Sequence, residues 1–380
     1  MLCWERRLLQ MSKVLLGDVA RERRETCKGS KDGYPVVGLE HLTPEEITLS
    51  AWDEEKENTF TKLFRKGDIL FGRRRAYLKK AAVAPFDGIC SGDITVIEAI
   101  PEKIIPELLP FIIQNDILFD FAVGKSAGSL SPRVKWEHLR NYSFELPDME
   151  EQRRLAKVLW AMDATKKAYQ KLIRKTDELV KSQFIAQFGT AESTPYEVST
   201  IGKECILKSG TTFPVDKELA EGAVIYAKVA DMNLPGNEIY IRTSKTYVST
   251  DTAGKTIIPA GSVVFPKRGG AIGTNKKRIL LFDTCVDLNT MGVIPGKRLL
   301  TEYLFAYFQC LDLADISDGS TIPQINNKNV APLQIPIPPI SVQQAFSTVS
   351  KLCDKSKFEL EQALAELTAT YKRIIAENLG

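Results

Sequence analysis

Basic side chains gather in one short stretch in the first half of the chain. Just after the apolar run that ends at Phe71 and Gly72, this stretch holds Arg73, Arg74, Arg75, Lys79 and Lys80. In a hairpin turn, such a group can bind phosphates, and an arginine can donate two hydrogen bonds to O6 and N7 of a guanine. The alternative is a solvated turn, where most runs of charge are found. The residues alone leave both interpretations open.

A second polar stretch lies in the other half of the chain. It contains Lys267, Arg268, Asn275, Lys276, Lys277 and Arg278. Two glycines follow Arg268, and a glycine lets the backbone approach a phosphate closely or adopt positive φ. The alternative here is a plain β-hairpin with charged tips.

Three polar loops offer further candidates. Ser209, Thr211 and Thr212 could donate hydrogen bonds to phosphates or simply form a polar loop. The other two loops match each other, with Ser129, Arg133 and Lys135 in the first half and Ser320, Gln324 and Asn326 in the second. Asparagine and glutamine can read adenine through two hydrogen bonds, but they can equally cap a following helix. The sequence does not separate these two uses.

Enzyme signals are weak. Residues 254–256 (GKT) resemble the end of a phosphate-binding loop, but Ser249 stands where its first glycine belongs, so we expect a turn. Asp68 and Asp93 are candidates for a nuclease, but no set of acidic residues and lysines resembles such a site. We therefore predict no catalytic centre, no metal site and no bound cofactor.

The composition limits the choices further. The 380 residues are 44% hydrophobic, and no run reaches the roughly 18–20 apolar residues of a membrane span. Residues 1–147 carry 22 basic and 22 acidic side chains, so a nucleic-acid-binding face must come from clustering. Seven scattered cysteines without a C-x-x-C pair predict a reducing, cytoplasmic location.

The chain is an internal repeat. A shift of 191 residues places 126–132 on 317–323, and a shift of 194 places 66–71 on 260–265. The first shift continues without a gap and superimposes Pro147 on Pro338, Gln152 on Gln343 and Asp163 on Asp354. A period this long predicts two copies of a unit with a core of its own.

Each copy divides into a β-rich part and a long helix. Short apolar runs predict strands at 36–37, 68–71, 81–84, 93–97, 223–226, 262–265, 278–282 and 292–294. Helical spacing of apolar residues predicts a helix around 104–123 and another around 299–315. The last quarter of each copy, beginning with residues 149–188, has few turn residues and predicts a helix of about 60 Å.

The two long helices share one pattern, in which apolar residues step by three and four. The predicted pairing residues are Leu155, Val158, Met162, Tyr169, Leu172 and Leu179 in the first helix, and Phe346, Val349, Leu360 and Leu367 in the second. Pairing of the two helices as an antiparallel coiled coil would bury both stripes, and independent surface helices are the alternative. We predict an α+β fold with an N-terminal extension (1–11), two β-rich domains (12–147 and 191–339) and two helices (148–190 and 340–380).

The layout and the local motifs resemble the DNA-specificity subunits of type I restriction-modification systems. Residues 196–202 with 208–214 resemble the opening of a target-recognition domain, and 260–265 with 267–273 its central hairpin. Residues 317–323, 336–339 and 343–344 resemble the exit into the family's helix. The first copy repeats these motifs at 14–17, 66–71, 126–129 and 146–152, so the resemblance covers residues 12–380.

The resemblance implies a function. Each target-recognition domain would read one half of a split target in double-stranded DNA, and the helices would set the gap between the halves. The helices would also carry adenine methyltransferase (modification) subunits, two by the internal symmetry, and a translocating restriction subunit would join them. The chain itself would catalyse nothing. The alternatives are a coiled-coil scaffold whose globular ends bind proteins, and a stand-alone nuclease.

Overall fold

A computed structural model describes residues 11–54 and 59–379 of the chain. The predicted N-terminal extension, apart from Met11, lies outside the described residues. The fold forms two compact units. Unit 1 comprises Met1–Gln170 with Glu361–Gly380, and unit 2 comprises Lys171–Leu360. Each unit therefore takes one segment from each of the two long helices.

Within residues 11–54 and 59–148, the first repeat contains nine strands, and it leads into the first long helix. Its strands are β1 Ser12–Leu15, β2 Ala20–Glu22, β3 Val36–Val37, β4 Lys62–Phe64, β5 Ile69–Gly72, β6 Ala81–Val83, β7 Gly88–Cys90, β8 Ile94–Ala99 and β9 Ser143–Leu146. Its helices are α1 Leu16–Val19, α2 Leu109–Ile113, α3 Asp116–Gly124, α4 Trp136–Leu139 and α5 Met149–Phe188.

The main sheet of unit 1 is antiparallel, with strand order β2-β8-β5-β6, and both of its faces are covered. Ile69 and Phe71 of β5 pack into a core that includes α2, α3 and segments of the long helices. Leu70, between them, packs into a second core beside the small β3-β7-β4 sheet. Burial on both faces explains why the strands are continuous apolar runs without alternating polar residues.

The second repeat is built in the same order. Its strands are β10 Glu197–Thr200, β11 Cys205–Ser209, β12 Val224–Ala227, β13 Tyr240–Ile241, β14 Tyr247–Val248, β15 Val263–Pro266, β16 Arg278–Leu280, β17 Thr284–Val286, β18 Thr290–Pro295 and β19 Gln334–Ile337. Its helices are α6 Ile201–Glu204, α7 Thr250–Ala253, α8 Thr301–Cys310, α9 Asn327–Val330 and α10 Ile340–Leu379.

The sheets of unit 2 repeat those of unit 1 with two local changes. The order β11-β18-β15-β16 matches β2-β8-β5-β6, and the additional strand β13 joins the edge next to β16. In the small sheet, β14 pairs with β12, whereas β4 of the first repeat pairs with β7. Val263 and Phe265 of β15 pack into the main core, which includes α8 and parts of α5 and α10.

The predicted strands are all present, but one predicted helix is interrupted. The segment predicted as one helix around 104–123 forms α2 and α3, separated by Gln114 and Asn115. The Asn115 side chain accepts a hydrogen bond from the Ile117 amide and so begins α3 as its N-cap. A local capping residue thus overrides a continuous apolar pattern. The segment around 299–315 forms the single helix α8.

The long helices are antiparallel within each unit. In unit 2, Nζ of Lys357 lies 2.7 Å from Oδ1 of Asp177, and the rings of Phe346 and Phe188 are centred 5.3 Å apart. Residue numbers therefore rise along α5 as they fall along α10. In unit 1, Leu159 of α5 and Ile375 of α10 belong to one core. The predicted α+β class and antiparallel helix pair are confirmed.

Only some of the predicted helix-pairing residues are buried. Leu155 and Phe346 are buried, and Met162, Tyr169, Leu360 and Leu367 are half-buried. Four predicted pairing residues instead lie on exposed helix surface, namely Val158, Leu172, Leu179 and Val349, which are 41%, 49%, 46% and 44% exposed. The buried stripe also contains the polar residues Gln152, Asp163 and Ser350. The predicted pattern, which steps by three and four from Leu155, omits these three positions and follows a neighbouring line of the helix surface.

A buried glutamine fixes the start of each long helix, and the two glutamines are equivalent in the repeat. The Gln343 side chain is fully buried, accepts a hydrogen bond from the Leu300 amide at 2.9 Å, and donates to the carbonyls of Arg298 and Pro338. Gln152 does the same in unit 1 with the Ile105 amide and the Pro147 carbonyl. Each glutamine therefore links the first turn of its helix to the segment that leaves the main sheet.

We expect Gln343→Leu to lower the free energy of unfolding by about 2–4 kcal/mol, because a buried amide and two buried carbonyls lose their partner. Urea denaturation measures the change. The matched control is Gln344→Leu at the next, exposed position, where we expect less than about 0.5 kcal/mol. Equal effects of the two substitutions would contradict the role of Gln343.

Candidate nucleic-acid interface

In unit 1, three segments meet at the end of β5. The Arg73 amide donates to the Asp93 carbonyl at 3.0 Å, and its carbonyl accepts from the Val134 amide at 3.0 Å. The Arg75 amide donates to the Pro132 carbonyl at 2.8 Å. The predicted basic turn and the predicted polar loop before α4 are therefore held side by side through their backbones.

Three side chains at this junction form an ion-pair cluster. Arg133 Nε lies 2.7 Å from one oxygen of Asp93, and Arg74 Nη1 lies 3.3 Å from the other. Arg74 also donates to the Ser131 hydroxyl at 3.1 Å. Partial burial would raise the pKa of Asp93, but the hydrogen bonds and charges of Arg133 and Arg74 outweigh it and hold that pKa below its usual range. The two guanidinium groups keep about 40% of their side-chain surface in solvent.

The remaining basic residues of the turn differ in exposure and in whether their side chains are bonded within the unit. Arg75 is exposed and has a left-handed backbone with φ of 55°. Lys79, with φ of 52°, pairs with Asp116 at 2.6 Å. Lys80 donates to the Leu39 carbonyl at 2.7 Å. Positive φ is uncommon in residues other than glycine and is concentrated at functional sites, which agrees with a specialised turn.

Unit 2 repeats the backbone arrangement residue by residue. The Lys267 amide donates to the Asn289 carbonyl at 2.7 Å, and its carbonyl accepts from the Ile325 amide at 2.9 Å. The Gly269 amide donates to the Pro323 carbonyl at 2.8 Å. Gly269 also has positive φ, as Arg75 does at the equivalent position. The shared pattern makes the two junctions structural equivalents.

Several polar residues predicted for unit 2 instead support the fold. Lys277 is 1% exposed, and its amino group donates to the Leu311 carbonyl at 2.7 Å and to the Asn275 side chain. Burial lowers the pKa of Lys277 to about 8. Arg278 donates to two backbone carbonyls, and Lys276 to the Asn233 side chain. The prediction that Lys277 contacts nucleic acid was wrong, because an apolar run with interspersed charges does not show which charges point inward.

Lys267 lies at the floor of the unit 2 junction. It is 5% exposed, and its amino group donates to the Ser209 hydroxyl at 2.8 Å. Burial lowers its pKa, and the neighbouring charge of Arg268 lowers it further. Ser209 ends β11, so the hydroxyl loop predicted at 209–212 adjoins the basic stretch.

Gly210 allows this loop to close. A Cβ atom there would lie 2.0 Å from the Asp287 carbonyl oxygen, so no other residue fits. The neighbouring Thr211 amide donates to the Val286 carbonyl at 3.0 Å, while Thr212 is exposed.

The two loops before the short helices differ in how they are organised. In unit 2, Asp318 Oδ1 accepts hydrogen bonds from the Ser320 hydroxyl and from the backbone amide of Gln324. These bonds lower the pKa of Asp318, and the bond from Gln324 contributes most. Asn326 stands at the N-cap position of α9, where its amide donates to the Asn329 side chain. In unit 1, Ser129 and Lys135 are exposed, and Arg133 makes the ion pair with Asp93.

Sequence reasoning missed the acidic and amide partners within the sites. From the sequence alone, Asp93 is a candidate only for a nuclease, and no motif points to Asn289. Asp93 directly precedes β8, and Asn289 directly precedes the equivalent strand β18. The two residues are 196 positions apart, so neither the shift of 191 nor the shift of 194 aligns them. The pairing of β5 with β8 places Asp93 beside Arg74, a contact across 19 residues that no local motif shows.

Asp68 and Asp93 do not form a joint acidic site. Asp68 is buried and pairs with Arg23 at 2.7 Å, whereas Asp93 pairs with Arg74 and Arg133. Among residues 11–54 and 59–379, no group of three or more His, Cys, Asp or Glu side chains is arranged to hold a metal ion. Within the same residues, no helix is long and apolar enough to cross a membrane.

We expect the Asp93 carboxyl to titrate below 3.8, its ordinary value, because two arginines stabilise its charge. Its folded-state pKa is depressed, so the stability that it contributes is fully present above the unfolded-state pKa of 3.8 and is lost as the pH falls through the folded-state pKa. Carboxyl carbon NMR measures the midpoint.

Arg133→Gln should raise the pH at the midpoint of the Asp93 titration, because one of the two positive charges beside the carboxylate is removed. The control is Arg65→Gln, because Arg65 has the same exposed fraction as Arg133 but pairs with Asp87 and Glu25. A native midpoint at or above 3.8, or an equal shift in the control, would contradict the described ion-pair geometry.

Comparisons with known proteins agree on one family. The MjaX and MjaIX type I restriction enzyme specificity subunits of Methanocaldococcus jannaschii are 20% and 23% identical to the chain, over 89% and 77% of it and 86% and 72% of their own lengths. The chain also has the fold of a type I restriction-modification S subunit from M. genitalium (13% identity, TM-score 0.58, 98% of this chain and 97% of that one). A structure from work on the assembly and conformational transition of a type I system is equally similar (20% identity, TM-score 0.58, 97% of each chain). Residues 10–175 and 194–368 each match the type I restriction modification DNA specificity domain, so the chain belongs to that family.

Proposed function

We propose that this chain is the sequence-reading subunit of a type I restriction-modification complex, with one half of a split DNA target read at the junction in each unit. The observation that supports this most is the pair of equivalent junctions, where one backbone pattern carries different side chains. A frame that is kept while its exposed side chains change suits two sites for two different sequences.

The chemistry of the junctions suits DNA. In unit 1, Arg74, Arg75 and Arg133 offer exposed or half-exposed guanidinium groups that can contact phosphates or guanine. In unit 2, Arg268 and the amides of Gln324 and Asn289 offer fewer charges and more groups suited to adenine. In this proposal the recognition residues are clustered, which agrees with a net charge of only +3.

The proposal gives the long helices two further roles. They set the gap between the half-targets, and they bind modification subunits, one for each repeat, with a restriction subunit joining the complex. Apolar side chains exposed on the helix segments of unit 2 suit protein partners, and they include Leu172, Leu179, Ile185, Val349, Leu352 and Phe358. In this proposal the methyl transfer and the cleavage belong to the partner subunits, and the complex acts in the cytoplasm, where its DNA is.

Selection from randomised duplexes by the full chain with its modification subunit should enrich a split target. Binding to that target should weaken steeply as salt rises, because phosphate contacts release counterions.

The double substitution Arg74→Ala with Arg133→Ala should weaken binding to the selected target at least tenfold. Arg65→Ala, at a position before β5 in the chain, should leave binding nearly unchanged. Absence of any enriched sequence would contradict the proposal, and salt-independent partner binding would favour a protein scaffold.

The spacer role predicts a second result. Seven residues inserted after Lys175 in α5 alone should impair assembly or alter the target gap, because the helices lose their register beyond the insertion. A matching insertion after Phe358 in α10 should restore assembly and lengthen the gap by about 3 base pairs, as seven helical residues span ~10 Å. Seven residues inserted into the loop at 29–32 serve as the control. Unchanged assembly and gap in the single-insertion variant would contradict the spacer role.

A further inference from the structure

Three positions correspond one to one between the two junctions. Arg74 forms a backbone bridge with Arg133, and Arg268 forms the same bridge with Gln324. The residue that precedes Arg74 donates its amide to the carbonyl of Asp93, and the residue that precedes Arg268 donates its amide to the carbonyl of Asn289. Unit 1 therefore carries the set Arg74, Asp93 and Arg133, and unit 2 carries Arg268, Asn289 and Gln324. We refer to these as the three-position sets.

The first position is arginine in both sets, and the other two differ in chemistry. In unit 1, Asp93 binds both arginines through its carboxylate, which fixes the planes of two guanidinium groups. In unit 2, the equivalent carboxylate is an amide, and the second arginine is replaced by a glutamine. The unit 1 set combines two guanidinium groups, which are donors, with a carboxylate that both of them neutralise, whereas the unit 2 set combines one guanidinium with two side-chain amides, each a donor and an acceptor.

We propose that the second and third positions of the three-position sets determine which base each unit reads. This inference rests on the proposed function and adds residues and bases to it. A guanidinium held by Asp93 offers two parallel donors, which match O6 and N7 of guanine in the major groove. A glutamine or asparagine amide offers one donor and one acceptor, which match N7 and N6 of adenine.

The surroundings of each set favour this assignment. A carboxylate near a DNA backbone is repelled by phosphates, and Asp93 is acceptable there because two arginines neutralise it. In unit 2, Asp318 holds the Gln324 backbone amide, while the Gln324 side chain has no hydrogen bond to another described residue. The Asn289 side-chain amide donates a hydrogen bond to Asp287 at 3.1 Å. The Gln324 side-chain amide is thus an unused hydrogen-bonding group on an anchored backbone.

The test converts one set into the other by two substitutions. In the full chain with its modification subunit, Asp93→Asn with Arg133→Gln gives unit 1 the chemistry of unit 2. Selection from randomised duplexes should then show that guanine is replaced by adenine at one position of one half-target, with the preference ratio changed roughly tenfold or more. The other half-target should stay the same.

The matched control makes the same changes of residue type elsewhere in unit 1. Arg65→Gln with Asp87→Asn also removes an ion pair and the same charges, but it lies before β5 and not after it. Both half-targets should remain those of the native chain. If the test variant does not fold, as judged by circular dichroism, Gln324→Arg in unit 2 decides in the same way, with adenine replaced by guanine in the other half-target.

The outcomes separate this inference from the proposed function. If the native chain selects no split target, the proposed function fails and this inference fails with it. If the native chain selects a split target but the folded variant keeps both halves, the three-position sets do not determine the base and this inference alone is overturned. An equal loss of affinity for every sequence would overturn it too, because that result indicates phosphate contacts only.

Discussion

The backbone hydrogen bonds between the end of the central strand and the loop before the next short helix hold the two segments of each junction side by side. In unit 1 they join Arg73 and Arg75 to residues 132–134, and in unit 2 they join Lys267 and Gly269 to residues 323–325. These bonds involve only backbone atoms, so the side chains can change without loss of the frame. The arrangement therefore permits two different recognition surfaces on one architecture, which is what a subunit for a split target requires.

Charge is used sparingly around this frame. Lys267 and Lys277 are buried and donate to groups within unit 2, and Lys80 donates to a backbone carbonyl in unit 1. Burying a lysine is costly unless its amino group is hydrogen-bonded, and here each one is. Arg74, Arg75 and Arg133 of unit 1 and Arg268 of unit 2 keep exposed or half-exposed side chains at the two junctions. This distribution explains how a chain with nearly balanced charge can carry localised basic sites.

Much of the architecture could be predicted from the sequence, because the repeat and the apolar runs are properties of consecutive residues. The eight predicted strands and both long helices follow from them, whereas short strands such as β1 and β9, which pair across the length of the first repeat, do not. The buried surface of the long helices was harder to predict, since it includes the polar residues Gln152 and Asp163. The site was hardest. Arg74 and Arg133 could be selected as basic residues, but their joint partner Asp93 depends on strand pairing, and the burial of Lys277 depends on tertiary packing.

In this proposal both junctions touch DNA. Photocrosslinking of the assembled complex to its selected duplex, with crosslinked peptides identified by mass spectrometry, tests it most directly. The predicted result is crosslinks in residues 73–80 and 126–135 from one half-target and in residues 267–275 and 317–326 from the other. Crosslinks confined to α5 and α10, or to a single junction with both half-targets, would contradict it.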